Sequence, residues 1–228
     1  MLFLGENTMT WDEMNFWRSG EWQVVEERLD DMDKLGILYN PMRQDLFKAL
    51  DATPYDKVKV LIMGQDPYPD RHLATGVAFD IPADIHEHPM TLHNVLQEYS
   101  DDLGLPYPQS GCLKTWTQEG VLLWNAIPSC TNGKSLSHDW NEWACLTREI
   151  CNELSKKGIV AVLCGAVAQR FKNDFDDTNE IICTSHPSPR GVKFGKIPFI
   201  GSRVFSTVNV KLIELGYSTV DWKLRRDL

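Results

Sequence analysis

Asp66 and His186 are the residues whose types and settings best fit proton-transfer or electrostatic chemistry. Asp66 sits in Gly64-Gln65-Asp66-Pro67-Tyr68, between a glycine-led turn and a proline, a stiff context that holds a carboxylate in one place. His186 sits in Ser185-His186-Pro187-Ser188-Pro189, where two prolines restrict the backbone on either side of Ser188. Each has a bland alternative: Asp and Pro favour ordinary turns, and a lone histidine is more often structural than catalytic. A carboxylate and an imidazole brought to one sheet edge are a better basis for catalysis than either alone. Asn125 ends the apolar run Val121-Leu122-Leu123-Trp124, where a buried amide must find partners for its donors and its acceptor. Backbone groups meet that need, and so does a flat ligand showing an acceptor beside a donor. Tyr68 and Phe79 fit a core equally well, or the walls of such a flat pocket. His86, His88 and His93 lie close in sequence, but no carboxylate or cysteine pattern accompanies them, so no metal site is expected.

The elements that must carry these residues follow from periodicity. Val58 to Met63 is a short β-branched and apolar run stopping at Gly64, the pattern of a parallel strand buried on both faces. Val121 to Trp124, Ile159 to Cys164 and Glu180 to Thr184 repeat it. Helical spacing covers Leu92 to Leu103, Trp140 to Lys156, Val167 to Phe171 and Arg203 to Leu215. Ahead of them, Thr10 and Glu13 have capping-box spacing before a helical region, and Asn40-Pro41 offers a helix N-cap with proline next, before Met42 to Leu50. Alternating strands and helices predict an α/β fold: one domain over residues 1–228, helical to about residue 55, then a four-stranded parallel sheet with helices on both faces. The carboxyl ends of such strands form the ligand crevice. Asp66, Asn125, Gly165-Ala166 and His186 all fall there.

Composition bounds the rest. The 228 residues carry 23 Lys plus Arg against 32 Asp plus Glu, a net charge of −9 that by itself argues against nucleic acid. The sign is local, however. From Thr184 to Lys211 there is no Asp or Glu, while Arg190, Lys193, Lys196, Arg203 and Lys211 supply positive charge, which predicts a basic face around His186 on an acidic body. The six cysteines form no CxxC pair and read as reduced thiols of an intracellular protein. The first fourteen residues lack a basic leader, and the longest apolar run is too short for a bilayer, so no membrane association is expected.

Taken together and in order, the motifs resemble family 1 uracil-DNA glycosylases. The match runs through GQDPY at 64–68, GVAF at 76–79, PMTL at 89–92, GVLLWN at 120–125, SH at 137–138 with Trp140 and Trp143, LCGA at 163–166, HPSP at 186–189, FSTVN at 205–209 and DW at 221–222. The resemblance implies removal of uracil from DNA by base flipping, as in base excision repair, with no cofactor and no metal. It implies that Asp66 orients water and stabilises the cationic sugar, and that His186 bonds uracil O2. Asn125 would read O4 and N3–H, Phe79 would stack on the base, Tyr68 would sit against C5 and exclude a methyl group, and Gln65 would add backbone contacts. Thr91, Gly165, Ala166 and Ser188 would approach phosphates, and Arg190 would occupy the wedge position. Expected partners are DNA, single- or double-stranded, a protein inhibitor that mimics DNA and, in a viral setting, a replication partner; the protein would be a monomer. The expected location is cytoplasmic in a bacterium, and nuclear or at a viral replication site otherwise.

Departures from the pattern matter too. Pro69 stands where most cellular members have histidine, Ala166 and Gly191 where serines are usual, and Arg190 where leucine is usual. Pro69 and Arg190 are similar to the poxviral branch, which leaves a second reading: a DNA-binding or polymerase processivity subunit with secondary or lost glycosylase activity. Asp66, Asn125 and His186 together favour the enzyme. One further expectation concerns Asn125. A rotated amide would accept cytosine, so a buried hydrogen-bond partner should hold it.

Overall fold

The computed structural model describes residues 9–224; residues 1–8, part of the stretch read above for a leader, lie outside them. Strands β1 (Tyr39–Asn40), β2 (Val60–Gly64), β3 (Val121–Asn125), β4 (Cys130–Thr131), β5 (Val160–Cys164) and β6 (Glu180–Thr184) alternate with helices. These are α1 (Glu21–Lys34), α2 (Lys48–Ala52), α3 (Met90–Leu103), α4 (Lys114–Gln118), α5 (Asn141–Ser155), α6 (Gly165–Ala168), α7 (Pro189–Phe194) and α8 (Val204–Glu214). The main sheet is parallel, in the order β3-β2-β5-β6, which is the expected α/β architecture.

The uninterrupted apolar strands follow from burial on both faces. Leu61, Met63, Leu122, Trp124, Ala161 and Leu163 point into one core, against Val25 and Leu29 of α1 and Trp143, Leu146 and Ile150 of α5. Their neighbours Val60, Ile62, Val121, Leu123, Val160 and Val162 point into the other, against α3 and α8. At roughly 25 cal/mol per Å² of apolar surface removed from water, this two-sided burial is the dominant stabilising term. Two of the quoted motifs belong here. Asn209 bonds both the carbonyl and the amide of Val220, and Trp222 packs on Trp116 and Phe205.

Three expected elements differ. Asn40-Pro41 does not start a helix: Tyr39–Asn40 pairs antiparallel with Cys130–Thr131, and the buried Asn40 amide donates to the Tyr68 carbonyl at 3.1 Å and to Asn132 Oδ1 at 3.2 Å. An Asn-Pro pair serves a strand end as well as a cap, and a tertiary partner decided between them. After Thr10, whose amide bonds Glu13 at 2.9 Å, two single 3₁₀ turns precede α1, which begins only at Glu21. The Pro-bracketed segment after His186 is not all loop either. Ser188 caps α7 by accepting the Gly191 amide at 3.3 Å, with Pro189 at the first helical position.

Candidate active site

The carboxyl end of β2 delivers Asp66, that of β3 delivers Asn125, and the turn after β6 delivers His186. All three line one cavity of about 390 Å³, together with Gln65, Tyr68, Phe79, Thr91, Ser188 and Arg190. Gly165 and Ala166 line a second hollow beside it, which shares Gln65, His186, Ser188 and Arg190 as a common wall. Every site residue chosen from the sequence therefore faces one continuous concave surface.

Asp66 is held by donors rather than left to solvent. Its Oδ1 accepts from Gln65 Nε2 at 2.9 Å, Ser135 Oγ lies 3.0 and 2.8 Å from its two oxygens, and the Leu136 amide reaches Oδ2 at 2.6 Å. Gln65 Nε2 also reaches Ser135 Oγ at 3.1 Å, closing a triangle of side chains. Sequence reasoning missed Ser135 and Leu136, since a serine in a polar loop carries no signal. The nearby Ser137-His138 pair is what fixes that loop. His138 joins Ser129 Oγ at 2.8 Å and Thr131 Oγ1 at 3.0 Å and stacks on Trp140 at 4.1 Å, while Ser137 Oγ accepts the Thr131 amide at 2.7 Å. Burial holds the His138 pKa down to about 4, so its ring is a neutral strut.

His186 is likewise neutral near pH 7. Burial lowers its pKa to about 4, against an opposing pull from Asp66. Its Nδ1 accepts the Ser188 amide at 3.1 Å, so the neutral ring carries its proton on Nε2, where it is a donor. Gly191 explains one departure from the family pattern. A Cβ there would lie 1.9 Å from the His186 carbonyl oxygen, so this packing of α7 against His186 excludes serine.

The flat walls are fixed in the same way. Phe79 has a left-handed backbone (φ 65°), uncommon for a bulky residue, and its carbonyl accepts the Tyr68 hydroxyl at 2.9 Å. That bond ties the two aromatic walls together, and the Phe79 ring lies 5.9 Å from the imidazole. Burial raises the Tyr68 pKa, so the phenol stays protonated and able to donate. Asn125 corrects an expectation. No protein group hydrogen-bonds its side-chain amide among the described residues; packing holds it instead. A Cβ at Gly64 would stand 2.7 Å from Asn125 Oδ1 and 3.0 Å from Phe79 Cζ, so the bare glycine lets amide and ring lie side by side. Its polar atoms remain available to a ligand.

The basic face is smaller than the sequence implied. Arg203 pairs with Asp102 at 3.5 Å, and Lys211 pairs with Glu180 at 3.3 Å and Glu214 at 2.8 Å. Arg190, Lys193 and Lys196 make no ion pair among the described residues. Two of the neighbouring histidines, His88 and His93, share the Tyr107 hydroxyl at 2.9 and 3.0 Å. No group of three or more His, Cys, Asp or Glu side chains among the described residues is arranged to hold a metal ion.

A parallel α/β sheet presenting a carboxylate and a neutral imidazole above a flat, amide-floored cavity defines a hydrolase suited to releasing a nucleobase. Comparison with known proteins narrows the class. A family model described as "Uracil DNA glycosylase superfamily" matches residues 50–212. The uracil-DNA glycosylase of Bacillus pumilus is 38% identical over 185 residues, 80% of each chain, and that of Coxiella burnetii is 38% identical over 194 residues, 84% of this chain and 83% of that one. Mimivirus uracil-DNA glycosylase superposes with a TM-score of 0.82 at 24% identity, over 92% of this chain and 85% of that one, which shows the shared fold. The chain belongs to the uracil-DNA glycosylase superfamily.

Proposed function

We infer that the cavity hydrolyses the N-glycosidic bond of deoxyuridine in DNA, releasing uracil and leaving an abasic site. The observation that carries this reading is the opposed pair on one cavity: a carboxylate held by three donor groups, and an imidazole that is neutral and donates from Nε2. Cleavage leaves positive charge on the sugar and negative charge on the base. Asp66 stabilises the first and orients the attacking water; Nε2–H of His186 stabilises the second at O2. Asn125 reads O4 and N3–H, Phe79 stacks on the ring, and Tyr68 closes the space at C5. A base inside a duplex cannot reach this pocket and must be flipped. Thr91, Gly165, Ala166 and Ser188 permit close approach of phosphates, Gln65 lines the pocket beside Asp66, and Arg190 stands at the mouth, where it holds a phosphate or fills the vacated stack.

GQDPY and HPSP support placement in family 1, and Pro69 and Arg190 are read as features similar to the poxviral branch. Variants of the mimivirus enzyme are known in complex with UGI; with the same fold, the mouth of this cavity is where an inhibitor mimicking DNA would seat. The protein acts as a monomer inside the cell, wherever its DNA substrate is.

Exclusion of thymine tests the pocket. Tyr68→Ala removes the group against C5 and is expected to release thymine from a thymine-containing oligonucleotide, while Tyr68→Phe keeps the ring and releases none. Absence of thymine release by both would mean that another wall excludes the methyl group. Ser135 is a positioning residue in this scheme, because its hydroxyl is, among the described residues, the only neutral side chain within hydrogen-bond distance of both Asp66 oxygens. Ser135→Ala should lower kcat about tenfold, roughly 1.4 kcal/mol, with little change in KM, and Ser135→Thr should restore it. An unchanged kcat in Ser135→Ala would show that Gln65 and Leu136 suffice.

A further inference from the structure

Phe194, at the end of α7, is 70% exposed, and Ile197 and Val192 beside it are 55% and 36% exposed. An aromatic ring left in water forgoes most of the gain that burial would give it. The segment that presents it is nonetheless firmly anchored. The Ser185 amide donates to the Ile197 carbonyl at 2.6 Å, Ser185 Oγ accepts the Phe199 amide at 3.2 Å, and the Gly195 amide donates to the Gly191 carbonyl at 2.8 Å. A Cβ at Gly195 would lie 2.1 Å from Ser185 Cβ, so the glycine draws the end of α7 onto the strand end and turns Phe194 outward.

The surroundings of the ring say what it would meet. Phe194 and Lys196 border a hollow of about 540 Å³ that shares Gln65, His186, Ser188 and Arg190 with the uracil cavity. Lys193 Nζ lies 5.2 Å from the centre of the Phe194 ring. None of Arg190, Lys193 and Lys196 is paired with a carboxylate among the described residues, and no acidic residue occurs between Thr184 and Lys211. Arg190 and Phe194 are four residues apart on α7, hence on one face and roughly 6 Å apart along the axis. That is one to two nucleotides at about 3.4 Å per step.

We propose that α7 and the turn after it form a second subsite, in which Phe194 stacks on an unpaired base one or two nucleotides from the flipped deoxyuridine while Lys193 and Lys196 hold the flanking phosphates. An aromatic platform among unpaired cations is the arrangement that binds single-stranded DNA without reading its sequence. The subsite rests on the uracil-releasing reading of the adjoining cavity, and it favours single-stranded over duplex substrate.

The test uses the intact protein with single-stranded oligonucleotides carrying a 2′-fluorinated deoxyuridine, which resists cleavage, and 2-aminopurine one or two nucleotides away on either side. Binding should quench the fluorophore in at least one of these registers; Phe194→Ala should lose that quench, and Phe194→Trp should keep it. With ordinary uracil in the same strands, Phe194→Ala should raise KM about fivefold or more and move kcat less than twofold. Lys193→Gln and Lys196→Gln should each lower the slope of log affinity against log salt by about 0.7. Identical quenching by wild type and Phe194→Ala in all registers, with equal KM, would overturn the subsite. The fluorescence arm reads stacking whether or not a base is cut, so a failure of uracil release would overturn the reaction and leave the stacking result to stand alone.

Discussion

Replacing Asp66 by asparagine should lower the single-turnover rate of uracil release from a single-stranded oligonucleotide by about three to four orders of magnitude, roughly 4 to 5.5 kcal/mol. The substitution is nearly isosteric, and the surroundings accommodate it. The asparagine oxygen, placed where Oδ2 stands, still accepts the Leu136 amide, and its NH2, placed where Oδ1 stands, can donate to Ser135 Oγ once Gln65, which donates to Oδ1 in the wild type, turns its own amide away. What is lost is the negative charge beside the developing sugar cation and the strong acceptor for the attacking water. Removing one preorganised electrostatic group typically costs a factor of 10² to 10³, and losing general-base assistance adds to that. The measurement is abasic-site formation read by alkaline cleavage, with the thermal midpoint followed in parallel. A loss smaller than tenfold in a variant that folds normally would remove Asp66 from the chemistry.

The reach and the limits of the sequence are both visible around this carboxylate. The strands and the convergence of Asp66, Asn125 and His186 were readable because β2, β3 and β5, buried on both faces, must use unbroken apolar runs, and such runs end at glycine or polar residues. The part-buried edge strand β6 keeps a short apolar run of the same kind. Ser135 and Leu136 were not readable. They reach Asp66 from 69 and 70 residues away along the chain, on a loop whose position depends on the His138 and Ser137 contacts and on pairing of β1 with β4. Local patterns carry no information about such distant partners. For the same reason Asn40 looked like a cap when it is a buried clamp on the Tyr68 carbonyl. The turn after His186 misled in a different way. No helix was expected after His186, yet the small size of Gly191 and Gly195 permits close packing of α7 on Ser185 and His186. The charge pattern was right in sign and too generous in extent, because sequence cannot show that Arg203 and Lys211 already have carboxylate partners.

His186→Leu should lower the same rate by about 10² to 10³, or 2.7 to 4 kcal/mol, the cost of removing one donor aimed at developing negative charge. The pH profile tells this role apart from that of a general acid. With the folded pKa held near 4 by burial, the ring is neutral from about pH 5 upward. Uracil release by the wild-type protein should therefore show no inflection between pH 6 and 7 arising from His186. On acidification the ring takes up its second proton only near pH 4. Nδ1 then becomes a donor, clashes with the Ser188 amide that it accepts in the neutral form, and loosens the cap of α7. The rate should fall there, and His186→Leu should lose the part of that fall that comes from the imidazole. An inflection near pH 6.5 in the wild type that vanishes in His186→Leu would mean that the imidazole works as a cation. The neutral donor, with its proton fixed on Nε2 by the Ser188 bond, would then have to be abandoned.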